Sequence, residues 1–70
     1  MTPLKIDSVW KHRNGTHYTV RGFTNLSSTK VEYPATVIYE GPNGLIWSRP
    51  ISDWRRSFTP VELQLEMGHI

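Results

Sequence analysis

The sequence predicts a single small, mainly all-β domain. Gly, Pro, Asn and Ser interrupt the chain at short intervals, and the runs between them are rich in Val, Ile, Thr, Tyr, Phe and Trp, which is the pattern of short strands joined by turns. The length of 70 residues allows one domain, spanning 1–70, and no repeat, low-complexity tract or linker divides it.

A chain this short buries only about 60% of the surface it exposes when unfolded. Disulfides, a structural metal or oligomerisation usually compensate. Cysteine is absent, so disulfides and thiolate zinc sites are excluded. An efficient small barrel, a homo-oligomer, or both remain. The segment Met1 to Asp7 has no apolar run of signal-peptide length, and no stretch approaches the ~20 apolar residues of a membrane span. The expectation is a cytoplasmic protein without membrane contact. The pI is about 9.3, yet the net charge is only +2. A surplus that small does not demand a nucleic-acid partner.

The first hairpin is read from Val9–Arg13 and Thr16–Val20 around Asn14-Gly15. A two-residue type I′ turn suits Asn-Gly. It pairs Arg13 with Thr16, His12 with His17, Lys11 with Tyr18, Trp10 with Thr19 and Val9 with Val20. Alternation then puts Val9, Tyr18 and Val20 on the core face with Lys11 at its rim, and Trp10, His12, His17, Thr19 and Arg21 on the other. Gly22 marks a bulge or bend, and 25–33 reads as a loop.

The second hairpin joins Ala35–Glu40 to Leu45–Arg49 through Gly41-Pro-Asn-Gly44. A four-residue turn places Val37, Tyr39, Ile46 and Ser48 on one face, and Thr36, Ile38, Trp47 and Arg49 on the other. A loop of Asn43-Gly44 alone changes that register. Large apolar residues on both faces suggest a central hairpin covered on both sides. Ser52 can cap a single helical turn over 52–57. In the tail, 59–70, Val61, Leu63, Leu65 and Met67 alternate as in an edge strand, while Thr59-Pro60-Val61-Glu62 also suits a helix start. The strand is favoured, and either form leaves an apolar stripe that can meet a second chain.

Trp10-Lys-His-Arg-Asn-Gly15, Tyr18-Thr-Val20, Val37-Ile-Tyr39, Trp47-Ser-Arg-Pro-Ile51 and the following Trp54 together resemble a family of small bacterial and phage proteins of unknown function. The resemblance covers residues 9–58. It implies a compact SH3-like barrel of about five short strands over residues 8–58, with Trp54 plugging its end. It implies no activity. Its phage members make an accessory phage role reasonable, for example a homo-oligomer that sequesters a nucleotide signal of host defence.

Signatures of catalysis are missing: no nucleophile elbow, Gly-rich phosphate loop or His-Glu-x-x-His helix occurs. No enzyme activity, cofactor or metal is expected. His12 and His17, opposed on one face, lack a third ligand at obvious spacing. The stronger signal is Trp10, His12, His17, Arg21, Trp47, Arg49, Trp54, Arg55 and Arg56. Guanidinium forks match phosphates and stack on rings, and tryptophans offer flat faces to bases. That set suits an anionic, nucleotide-like ligand or a nucleic-acid segment. Structural roles compete: Trp47 reads more readily as core, Trp54 as a plug, Arg49 as an ion-pair partner of Glu40 or Asp53, and Arg55 with Arg56 as a solvated corner. A protein- or peptide-interaction module is the alternative, since SH3-like barrels dock peptides on aromatic strips. Weak nucleic-acid binding is a further one.

Overall fold

The computed structural model describes residues 3–61. The chain is mainly β: among the described residues, five antiparallel strands form one sheet, with one short helix. The elements are β1 (Val9–His12), β2 (His17–Thr24), β3 (Thr36–Glu40), β4 (Ile46–Pro50), α1 (Ile51–Ser57) and β5 (Phe58–Pro60). Their order across the sheet is β4-β3-β2-β1-β5. Strand β5 therefore returns beside β1, and α1 spans the opening between the two edge strands.

Both hairpins close with the same three-residue loop, and this corrects both expected registers. In the first, His12 N–H donates to Thr16 O at 2.8 Å and Gly15 N–H to His12 O at 2.8 Å, with Gly15 at φ 95°. In the second, Gly41 N–H donates to Leu45 O at 3.0 Å and Gly44 N–H to Gly41 O at 3.0 Å, with Gly44 at φ 83°. Each is a tight turn followed by a glycine bulge in the left-handed region. The asparagine before each glycine fixes the loop: Asn14 Oδ1 accepts from Thr16 N–H at 2.9 Å, and Asn43 Oδ1 from Leu45 N–H at 3.3 Å.

One residue of slip transfers side chains to the opposite face. Trp10 pairs with Tyr18, Lys11 with His17 and Val9 with Thr19. Trp10 thus enters the core and is fully buried, whereas Val9, assigned to the core, is exposed with Lys11. In the second hairpin Tyr39 pairs with Trp47 and Val37 with Arg49, so these four share the inner face, while Ile38 and Ser48 share the outer. The hairpin is not central. Strand β4 is an edge, and Leu45, Ile46 and Trp47 are exposed.

The bulge expected near Gly22 is present: the β2–β3 register shifts between Val20 and Gly22. The loop after β2 starts with Asn25 at φ 62° and runs to Ala35. Pro50, not Ser52, occupies the N-cap of α1, and no side chain caps it. Ile51 N–H instead donates to Ala35 O at 2.9 Å. Asp53 in the first turn and Arg55 and Arg56 in the last complement the helix dipole. Phe58 ends the helix in an extended conformation and opens β5, where Phe58, Thr59 and Pro60 pair with His12, Lys11 and Trp10. Thr59 and Pro60 are thus strand residues. The rest of the expected tail element, including Leu63, Leu65 and Met67, lies outside the described residues.

The core is Trp10, Val20, Val37, Tyr39, Trp54 and Phe58, with Leu4, Tyr18, Phe23 and Ile51 packed on it. Trp54 and Phe58 stack with ring centroids 3.8 Å apart and planes 2° from parallel. Trp10 and Tyr39 meet Trp54 edge-on at 5.7 and 5.0 Å. Each such pair adds ~0.5–1.5 kcal/mol beyond area burial. Trp10 Nε1–H donates to Ser8 Oγ at 2.9 Å, while Trp54 Nε1–H is buried with no acceptor among the described residues.

Gly15→Ala and Gly44→Ala should each lower stability by about 1–2 kcal/mol, because a Cβ disfavours the left-handed conformation. Urea unfolding measures this. Gly22, without positive φ and with open space around it, is the control: Gly22→Ala should be nearly neutral or slightly stabilising.

Candidate functional site

The inner face of the sheet stays open between the two Asn-Gly loops, and there a cleft runs across β1, β2, β3 and β4. Its deeper part, about 180 Å³, is lined by His12, Tyr18, Tyr39, Trp47, Arg49 and Phe58. A shallower part of about 430 Å³ continues outward past Thr16, Tyr18, Pro42, Asn43 and Trp47. Tyr18 and Trp47 line both.

The fold places each of these residues by a local rule. Tyr18 points inward because the first loop sets Trp10 opposite it. Its ring lies over the start of the second loop, where Gly41 is buried; a Cβ at Gly41 would come within 3.0 Å of Tyr18 Cε2. Tyr18 also meets Tyr39 edge-on at 5.3 Å and Phe58 at 5.7 Å. His12 packs edge-on against Phe58 at 4.9 Å, and its Nδ1 accepts from Asn14 N–H at 3.1 Å. Trp47 projects from β4, where no further strand among the described residues shields it, and is 50% exposed. Arg49, two residues on, turns inward. Its guanidinium donates to Ser57 Oγ at 3.1 Å, lies 3.6 Å from Asp53 Oδ2 and sits 5.2 Å from the Phe58 ring centre.

Of the nine residues singled out from sequence, three line the cleft: His12, Trp47 and Arg49. Trp10 and Trp54 are fully buried and present no ring face to a ligand. A two-residue loop sets Trp10 on the non-core face; the three-residue loop reverses it. Trp47, which reads as core, is the half-exposed tryptophan. His12 and His17 are not opposed on one face: Lys11 pairs with His17, which turns His17 outward into solvent. Arg21 lies in surface ion pairs with Glu40 at 2.8 Å and Asp7 at 3.4 Å. Arg56 pairs with Asp53 at 3.3 Å. Arg55 lies over the Trp10 ring, 5.1 Å from its centre. Glu40, one of two candidate partners for Arg49, serves Arg21, and Asp53 takes Arg49.

Sequence reasoning missed Tyr18, Tyr39, Phe58 and the loop residues Pro42 and Asn43. One signal was available: the two-residue turn put Lys11 on the core face, a conflict that the three-residue loop removes. Among the described residues no group of three or more His, Asp or Glu can hold a metal ion, and no helix is long and apolar enough to cross a membrane. No protein-family model, curated protein or solved structure matches this chain.

Trp10→Ala and Trp54→Ala should each cost about 3–5 kcal/mol, the range for emptying a buried aromatic site, and leave little folded protein. Trp47→Ala should cost under about 1 kcal/mol, being half exposed on an edge. Thermal unfolding followed by far-ultraviolet circular dichroism separates the two groups.

Proposed function

We propose that this protein is a non-catalytic binding module whose cleft takes a flat ring carrying negative charge, a nucleotide-like ligand being the simplest case. The observation that carries the reading is the exposed indole of Trp47, two residues along β4 from Arg49, over a pocket lined by further aromatic rings. A planar ring can stack on Trp47 beside Tyr18, a contact worth about 1–3 kcal/mol. Arg49 supplies a guanidinium for a phosphate or carboxylate. Asp53, Ser57 and Phe58 hold it in place, which lowers the ordering cost on binding. Asp53 also offsets part of its charge, so affinity should depend only mildly on salt. The role is that of a cytoplasmic accessory protein, bacterial or phage-borne, that holds such a ligand. The strand order and the helix before β5 are compatible with the SH3-like reading.

A second reading rests on the ion pairs. Arg21, Arg49 and Arg56 all have carboxylate partners, leaving the cleft mainly aromatic, with Thr16, Asn43 and His12 as polar groups beside the ion-paired Arg49. A short peptide with a proline or apolar anchor fits such a groove.

Fluorescence tests both, because Trp10 and Trp54 are buried and Trp47 dominates quenching by soluble acrylamide. Adenine mononucleotides and ADP-ribose should protect Trp47 from quenching. Trp47→Ala or Arg49→Ala should weaken that binding at least about tenfold, the equivalent of one lost contact of 1.4 kcal/mol. Protection by a proline-rich peptide alone selects the second reading. Protection by neither, in protein freed of co-purified ligand, rejects both.

A further inference from the structure

We propose that β4 is a self-association edge: two copies of the chain pair antiparallel through Ile46 and Ser48, about a two-fold axis at Trp47. This inference does not rest on the ligand reading.

Among the described residues β4 pairs only with β3. The backbone bonds flanking that ladder, Gly41 to Leu45 and Ala35 to Ile51, fix its phase. Hydrogen-bonded pairs alternate in an antiparallel ladder, so Leu45, Trp47 and Arg49 direct their backbone groups to β3. Ile46 and Ser48 direct theirs outward. Pro50, without an N–H, ends the free edge on one side, and the Gly44 turn at φ 83° ends it on the other. The edge thus offers two donors and two acceptors.

One register satisfies all of them in a second copy. Setting Ile46 against Ser48 of the second copy, and Ser48 against its Ile46, uses every outward N–H and C=O on both chains. Centring the axis on Ile46 would oppose Ser48 to Gly44, which the turn holds out of extended conformation. Centring it on Ser48 would oppose Ile46 to Pro50, which has no donor.

The side chains agree with a like partner. Edge strands commonly avoid pairing by carrying outward charge. This edge carries none: Ile46 is 57% exposed, Trp47 is half exposed, and Ser48 is neutral. The one nearby charge, Arg49, is drawn inward to Ser57 and Asp53. Two copies therefore meet without like-charge opposition. Trp47 of each chain faces its counterpart across the axis, joining the two clefts, so that each copy adds a ring to the other's site.

The test is the solution mass of the full chain, by light scattering after size exclusion, from low to high micromolar concentration without ligand. A concentration-dependent dimer is expected. Ile46→Lys places a charge at the edge, and Ser48→Pro removes one outward donor while leaving the β3 ladder intact; each should weaken dimerisation at least about tenfold, at the cost of one lost contact. Circular dichroism should show both variants folded. The register has its own test in this cysteine-free chain. Oxidised Trp47→Cys should crosslink readily, because directly opposed residues lie about 4.5 Å apart at a non-hydrogen-bonded pair, within disulfide range. Ile46→Cys should not. A monomer at all concentrations, a dimer indifferent to both edge variants, or equal crosslinking at both positions would overturn the proposal.

Discussion

The placement of the cleft-lining side chains of the two hairpins depends on the length of two loops. In a strand the side-chain period is two, so adding or removing one loop residue reverses which face a side chain joins. Asn14-Gly15 and Asn43-Gly44 each close a three-residue loop in which the glycine takes positive φ and the asparagine side chain holds the backbone two residues on. The first loop carries Trp10 into the core and His17 out of it. The second puts Trp47 and Arg49 on the same face as Val37 and Tyr39. Core and cleft are thus set by the same two local devices.

Short strands alone would leave the sheet poorly covered, since β4 and β5 do not pair. Aromatic packing closes the gap. Trp54 descends from α1 and stacks on Phe58 at the first position of β5, and Trp10 and Tyr39 meet the pair edge-on. Large rings bury much area per residue at little entropic cost, which suits a chain too short for a broad aliphatic core and without cysteine. The same cluster continues outward through Tyr18 and His12 to the cleft. The cleft floor is the exposed side of the core.

The fold class was legible from punctuation alone: Asn-Gly pairs, the Gly22 irregularity, Pro34 and Pro50 divide the chain close to where the strands and helix end. The faces were harder. An Asn-Gly pair is compatible with two-residue and three-residue loops, and only the distribution of side chains decides between them. Placing Lys11 opposite Tyr18 on the core face was the discordant feature in the first hairpin, as Ser48 beside Tyr39 was in the second. Trp47 could not be recognised as exposed from its neighbours, because an edge strand and a central one share the same local composition; what separates them is that β5 pairs with β1 and not with β4, a long-range property. Ion pairs such as Arg21 with Asp7 and Glu40 join residues distant in sequence and leave no local mark.

Among the described residues, strand β4 combines an exposed tryptophan with an unpaired edge. An exposed uncharged edge invites open-ended association. Here its extent is limited by backbone chemistry: among the described residues, the Gly44 turn and Pro50 leave Ile46 and Ser48 with outward backbone groups. A charge at Ile46 or Ser48 would block pairing as well. Blocking by charge on the inner face would instead set a solvated cation against Trp47, and there the cation present, Arg49, is tied down by Asp53 and Ser57. Restricting the edge by length leaves the indole free of competing charge. On the two proposals made above, the strand presents a ring to a ligand and two residues of backbone to one partner, and it is too short to template a growing sheet.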